Sequence, residues 1–387
     1  MVYRTIEVTT KRQFREFIRL PYRIYAGNTC WVPPIESEVK RILNPAKNPY
    51  FLNAGLRLFS TYREDIIVAR CAVIINRMHQ QKFRIKNAFF GFFESINSDE
   101  AVKSLFTEAE SFCRRRGVEF LEGPFNPNLY SDLGLLTNKF DSTPSFFQTY
   151  NPPYYQHLLE EAGFNVLKKL NIRSNKKLKD FLMEHYTNNL CTESKNMRIR
   201  SFNIKRKEED LDYLREIYND AFSGNWHFIP VSKEEYIFSA KYLHLVTPPD
   251  LIKFVEYKGT PVGVIQFALD INPFLKTFKG KFRPLKYLNL IRNKKRIRRA
   301  IVFAVGIKKA FQRTIAHQLL LNAAVLLARN YDELETSWMY DDNLLAVKAA
   351  ERFGMQPEKY YSILGKSLVP KPESYLSASG LIVSESI

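Results

Sequence analysis

One order of elements occurs twice along this 387-residue chain, and the duplication limits the fold more than any single motif does. Residues 87–96 read as a strand. Residues 99–116 place Val102, Leu105, Phe106, Ala109, Phe112 and Cys113 at helical spacing. Ser98 is the expected N-cap, Asp99 and Glu100 fall in the first turn, Arg114 to Arg116 in the last, and Gly117 follows as a stop. A short strand at 118–122 comes next, then Asn151, a helix over 152–162 opened by Pro152 and Pro153, and Gly163-Phe164. The second half repeats this order with different residues. An unbroken apolar run at 300–305 predicts a strand covered on both faces. A helix over 312–329, a strand over 331–340, Asn343, a helix over 344–353 and Gly354-Met355 complete the copy.

Two copies of one α/β domain, each built on a mixed sheet, is the economical reading. The expected domains are 1–170 and 198–370, with a polar, basic linker at 171–197 and a Ser-rich tail at 371–387 expected to be disordered. Composition agrees: 45% hydrophobic and 25% charged residues are what a globular chain carries. No apolar run approaches the roughly 18 residues that cross a bilayer, and residues 1–10 are polar, so neither insertion nor export is expected. Cys30, Cys71, Cys113 and Cys191 lie far apart without metal-ligand spacing, which predicts a reduced, cytoplasmic chain without a metal site. The six histidines form no HExxH pair, and no Gly-x-Ser-x-Gly elbow or phosphate-cradling Walker loop accompanies them. His227, within Asn225-Trp226-His227-Phe228, is the histidine best placed to line a cleft.

The charge is uneven. Of the net +18, eleven positive charges fall between Lys276 and Arg299, a stretch without one acid. Phe274, Phe278, Phe282, Leu285, Leu288 and Ile291 interleave with them, so grease and charge share one segment. Three surroundings fit: an anionic membrane surface touched peripherally at its inner face, plain solvent, or, as a weaker match, single-stranded nucleic acid.

Two sets of residues resemble the GNAT N-acyltransferase superfamily, and within it the YghO-like branch. In the second half these are Ser337-Trp338-Met339-Tyr340-Asp341-Asp342-Asn343, Gly354 and Lys359-Tyr360-Tyr361. In the first half they are Gly123-Pro124-Phe125-Asn126, Gly134-Leu135-Leu136, Phe140-Asp141, Pro144 and Tyr150-Asn151-Pro152-Pro153-Tyr154-Tyr155. Together they span most of residues 1–367. The resemblance implies tandem acyl-CoA N-acyltransferase domains, each a mixed sheet splayed between its fourth and fifth strands, with acetyl-CoA or a longer acyl-CoA in the split. Freed strand amides then face the pantetheine, and the next helix offers its unpaired N-terminal donors to the diphosphate.

Carried onto this chain, the resemblance makes Val305, Gly306, Ile307, Gln312, Arg313, Thr314, Ile315, Ala316 and Asn343 the expected cofactor contacts. The chain departs from the family's phosphate loop, Gln/Arg-x-x-Gly-x-Gly/Ala. Counted from Gln312, the glycine positions hold Ile315 and His317; shifted back by one, Ala316 fits but Phe311 replaces Gln/Arg. Lys308, Lys309 and Arg313 offer side-chain charge in compensation. In the first half Asp99 and Glu100 stand where a phosphate would sit, so that domain is not expected to bind CoA. The family's thiolate-protonating Tyr, seven residues after the helix-opening Asn, is Ala350 here, which leaves Tyr340, Tyr360 and Tyr361 as candidate acids. Glu256 is the first candidate base and Glu335 the second, since a carboxylate in a dry cleft can take a proton from an ammonium nucleophile.

The function this implies is acyl transfer from a CoA thioester to a small-molecule or lipid-like amine, the second domain holding the thioester. A catalytically silent GNAT-fold binding protein and a nucleic-acid module built on residues 276–299 are the alternatives.

Overall fold

A computed structural model describes residues 2–128, 131–186, 190–194 and 196–370; the tail expected at 371–387 lies outside them. The chain forms two compact units. Among the described residues, the first is made of those within 2–170, 279–281 and 360–370, and the second of those within 171–278 and 282–359. The described part of 171–197, read from the sequence as a linker, holds a strand end, a helix at Leu178–His185 and a two-residue strand at Glu193–Ser194.

In the first unit the strands are β1 (Tyr3–Glu7), β2 (Ala54–Arg63), β3 (Ile66–Asn76), β4 (Asn87–Ser95) and β5 (Phe120–Gly123). The first four pair antiparallel in that order, and β4 pairs β5 in parallel. A sixth strand comes from the end of the chain: Leu364 to Ser367 run antiparallel to β5. Helix α1 (Lys11–Ile24) follows β1 and is opened by a capping box of Thr10 and Gln13. Helix α2 (Asp99–Arg115) crosses from β4 to β5. Ser98 caps it by accepting the Ala101 N–H at 3.3 Å, and Gly117 leaves it at φ +70°. Its apolar stripe packs on the sheet, where Phe90, Phe106 and Phe164 meet at ring separations of 4.7–5.4 Å.

Helix α3 (Tyr155–Glu161) begins later than the sequence led us to expect. The Asn151 side chain accepts the Leu136 N–H at 2.7 Å and donates to the Leu136 carbonyl at 3.1 Å. It therefore ties a loop to a strand instead of capping a helix, and Pro152-Pro153 precede the first turn.

The second unit repeats the topology. Its strands are β6 (Met197–Ser201), β7 (Ile252–Tyr257), β8 (Thr260–Leu269), β9 (Arg299–Ile307) and β10 (Glu333–Thr336), antiparallel until β9 pairs β10 in parallel. A sixth strand again runs antiparallel to the fifth, here through Ser174 and Asn175. Helix α4 (Lys207–Ala221) covers one face, where Leu214 and Ile217 join Phe254 and Val264 in a buried cluster. Between β8 and β9 lie the basic helices α5 (Asn272–Phe278) and α6 (Pro284–Asn293). Helix α7 (Ala316–Ala328) crosses from β9 to β10, and α8 (Leu344–Glu351) follows.

Three expectations change in this unit. Helix α7 opens at Ala316 and not at 312, because Lys309–Phe311 form a 3-10 turn and Thr314 locks the bend. Its hydroxyl donates to the Phe311 carbonyl at 2.7 Å and accepts the Ala316 N–H at 3.3 Å. The strand expected over 331–340 is broken into β10 and Met339–Tyr340. The run at 300–305 is not covered throughout: Val302, Phe303 and Ala304 are half-buried and Val305 is 43% exposed.

Candidate active site

The exposure of Val305 has a topological cause. The β9–β10 ladder runs from Arg299↔Glu333 to Val302↔Thr336 and ends there. The Ser337 N–H donates to the Val302 carbonyl at 2.9 Å, and its hydroxyl donates to the Phe303 carbonyl at 3.1 Å. Beyond this fork residues 304–307 pair only with β8, so one edge of β9 has no partner strand among the described residues. The register on β8 slips between Gln266↔Ala304 and Phe267↔Val302, which leaves Phe303 as a bulge at the point of divergence. A fourth strand thus separates from a fifth at a kink in its backbone.

Val305, Gly306 and Ile307 lie on this free edge. Gly306 is buried against α4, where an added Cβ would stand 3.1 Å from the Ala221 Cβ. Gln312, Arg313, Thr314 and Ile315 form one exposed turn ahead of α7, and Ala316 is the first helical residue. The turn has no glycine, so its backbone cannot wrap a phosphate as a Gly-rich loop does. Lys309 and Arg313 are exposed in the segment leading into α7. Lys308 is partly engaged, 3.2 Å from Glu216. Asn343 caps α8 by accepting the Ala346 N–H at 3.2 Å. Ala350 is buried on that helix, and exposed Leu344 and Leu345 stand in its first turn.

The two carboxylates have different settings. Glu256, on β7, is buried with both oxygens occupied: Arg198 Nε stands 2.9 Å from one and Arg200 Nε binds the other. Arg200 also forks onto buried Asp210 at 2.7 and 2.8 Å and lies over the Phe254 ring. Glu256 also borders a shallow surface cavity of about 660 Å³, lined by Ser194, Asn196, Met197, Arg198, Lys258 and Gly259 among others. Strand β8 stands between β7 and the fork.

Glu335 lies on β10, opposite Ile301 and one residue before the ladder ends. It is buried, with Arg299 Nη1 at 3.7 Å; Arg299 also meets Glu333 at 2.7 Å and Asp270 at 3.6 Å. Lys359 belongs to the same charged group: burial pulls its ammonium below the ordinary lysine value, and Glu335 opposes the shift.

Of the candidate acids, Tyr340 sits just past the fork in an aromatic cluster. Its ring is edge-on to Trp338 at 5.5 Å and to Trp226 at 6.0 Å, and Trp226 lies 3.9 Å from His227. His227 is buried and held at φ +55°. It occupies the loop after α4 and not a helix. Tyr360 belongs to the first unit, where its N–H donates to Asn138 at 2.7 Å and its ring is exposed.

Gln266 is a residue that sequence reading passed over. It is buried on β8, in register with Ala304 beside the bulge, and its Nε2 has no hydrogen-bond partner. A buried amide left in this state points to a missing acceptor. The signal was visible as one polar residue inside the apolar run from Val262 to Leu269.

Comparison with solved structures assigns this architecture. A tandem GNAT protein from the clavulanic acid biosynthesis pathway superposes with a TM-score of 0.56, covering 96% of this chain and all of its own, at 9% identity. The chain has the tandem GNAT fold. A probable N-acyltransferase from Enterococcus faecalis shares this fold with a TM-score of 0.55, over 98% of this chain and 75% of its own, at 7% identity. No family model matches the sequence. Two curated relatives match nearly end to end. A bacterial ceramide synthase of Caulobacter vibrioides is 28% identical over 94% of this chain and 97% of its own. Protein YghO of Escherichia coli is 26% identical over 92% and 94%. In this tandem GNAT fold, the fork between β9 and β10 is the open one.

Proposed function

We propose that the second unit is an N-acyltransferase that holds an acyl-CoA thioester along the free edge of β9 and passes the acyl group to a long-chain amine. The observation that carries this reading is the fork itself: a bulged fourth strand whose last residues pair on one edge only among the described residues, followed by a basic turn and a helix N-terminus. The pantetheine runs along 304–307, and the diphosphate is met by Lys309, Arg313 and the first turn of α7. The neutral amine attacks the thioester carbon, strand amides and the Gln266 amide stabilise the oxyanion, and the C–S bond breaks as the amide forms. Glu335 takes the ammonium proton, and Tyr340 protonates the departing thiolate. Glu256, whose oxygens are bound by arginines, holds β6 and α4 together through Arg200. The relative named a ceramide synthase supports an amine acceptor with a long chain, since a ceramide carries an acyl group on the nitrogen of such an amine.

The direct test is ligand-dependent melting with palmitoyl-CoA, acetyl-CoA and free CoA. A thioester at a hundredfold excess over its Kd stabilises by about 2.7 kcal/mol, or roughly 5–10 °C for a unit this size. Val305→Trp fills the gap from an exposed position, and we expect it to abolish the shift while leaving the unliganded melting temperature within about 2 °C, as surface changes do. No shift with any thioester would sink the proposal. Binding without turnover would favour the silent binding protein, a reading the glycine-free turn and Ala350 keep open.

A further inference from the structure

The strongest feature that acyl transfer leaves unused is the insertion between β8 and β9. Helix α6 is held to the second unit by one buried side chain, Leu290, while Phe278 at the end of α5 is 1% exposed. The rest of α6 turns outward. Leu285 is 81% exposed, Leu288 47% and Ile291 39%, and Phe282, two residues ahead of the helix, is 55% exposed. Spaced three residues apart, Leu285, Leu288 and Ile291 form one stripe along α6, and Phe282, in the loop before the helix with its ring 5.6 Å from that of Tyr287, stands at its N-terminal end. A soluble surface does not normally gather that much contiguous apolar area. Around the stripe, Arg283, Lys286, Arg292, Lys295, Arg296 and Arg298 are all exposed, and no acid occurs from Lys276 to Arg299 to neutralise them.

An apolar stripe flanked by unopposed cations is complementary to one partner in both terms at once: the headgroup layer of an anionic bilayer, with acyl chains under phosphates. We infer that α6 docks the protein peripherally on an anionic phospholipid membrane, Phe282, Leu285, Leu288 and Ile291 entering the headgroup boundary and the surrounding Lys and Arg meeting phosphates. Docking, not spanning, is the geometry, because no helix among the described residues is long and apolar enough to cross a bilayer. A stacking platform for nucleic acid is the poorer match: three of the four stripe residues are aliphatic and offer no ring to a base. The inference rests on the exposed residues of α6 and the segments flanking it and holds whether or not the fork takes a thioester.

The test is co-flotation of the full chain with vesicles of phosphatidylcholine alone and of phosphatidylcholine with 30% phosphatidylglycerol, at low and high salt. The protein should float with the anionic vesicles at low salt, and not with the neutral ones. The variant Lys286→Gln/Arg292→Gln/Lys295→Gln should partition about 100-fold less, each cation near the surface being worth roughly a factor of five. Leu285→Ser/Leu288→Ser should lose at least about tenfold through the apolar term. All five positions are exposed, so the melting temperatures of both variants should match the parent. Equal flotation with neutral and anionic vesicles, no loss in either variant, or binding of a single-stranded oligonucleotide in place of vesicles would each overturn the inference.

Discussion

The two units share strand order, a parallel fourth–fifth pair, a crossing helix and a sixth antiparallel strand, yet they treat the fork in opposite ways. In the first unit the ladder of β4 and β5 ends at Phe89↔Glu122, and the chain then folds back across the gap. A Cβ on Gly91 would lie 1.7 Å from the Phe125 carbonyl oxygen, and the Phe92 N–H is already given to Asn126 Oδ1 at 2.5 Å. The bulge donor that a ligand would need is spent internally. In the second unit the corresponding edge of β9 meets no strand among the described residues, and Val305 is exposed. The capping residues diverge too: Asn343 caps α8, whereas Asn151 braces a loop. Duplicated topology therefore does not imply a duplicated site; what the chain does after the fifth strand decides whether the fork is filled.

The difference can be broken experimentally, and the largest effect should come from the closed fork. Gly91→Ala drives a methyl into backbone and should destabilise the first unit by about 4–5 kcal/mol or more, seen as lost soluble yield or a collapsed melting temperature. Gly306→Ala, at 3.1 Å from a side-chain methyl, should cost only about 1–3 kcal/mol. If both cost the same, the two forks are not packed differently.

Next come the catalytic assignments. Glu335→Gln and Tyr340→Phe should each lower kcat by about 10²–10⁴; Tyr340→Phe should change melting little, whereas Glu335→Gln, which removes a buried charge facing Arg299 and Lys359, should also lower it. Tyr155→Phe, in the first unit, should leave kcat per folded molecule unchanged. It should cost about 1–3 kcal/mol of stability, because the Tyr155 hydroxyl is buried between the Ser95 N–H and Glu94. Full activity in both second-unit variants would remove the mechanism.

Glu256→Ala breaks a buried ion pair and should cost about 3–5 kcal/mol while sparing kcat in the folded fraction. A large fall in kcat with intact stability would return the base to Glu256.

The smallest effect is one of pH. Burial pushes the Glu94 carboxyl above its ordinary value of 4.5, against Arg70 at 3.6 Å and a hydrogen bond from Tyr155 at 2.7 Å. The folded state then binds more protons than the unfolded one in the window above 4.5, so stability falls as pH rises through it. Urea unfolding between pH 4 and 7 should show this slope in the parent and lose it in Glu94→Gln. A slope of the other sign would mean that Arg70 and Tyr155 outweigh burial.

Much of the scaffold was readable without coordinates, since it rests on short-range rules. Ser98, Gly117 and Asn343 act where capping chemistry predicts, and the helical stripe of residues 102–113 packs as its spacing requires. The errors lie where a side chain finds a distant partner. Asn151 carries the same local signal as Asn343, but Leu136 takes it. Glu256 reads as a free strand carboxylate until Arg198 and Arg200 arrive from the neighbouring strand. Gln266 was legible as a polar interruption, but its lack of a partner was not.

The sequence alone determined the repeat of elements, the apolar faces that bury them and the acid-free basic segment, because each depends on spacing within a dozen or so residues. Only the tertiary structure decided that the sixth strand of the first unit comes from the far end of the chain, that Phe125 and Asn126 close one fork, and that the other stays open. Those outcomes depend on which backbone edges hydrogen-bond after long loops have closed, and no local period encodes the choice.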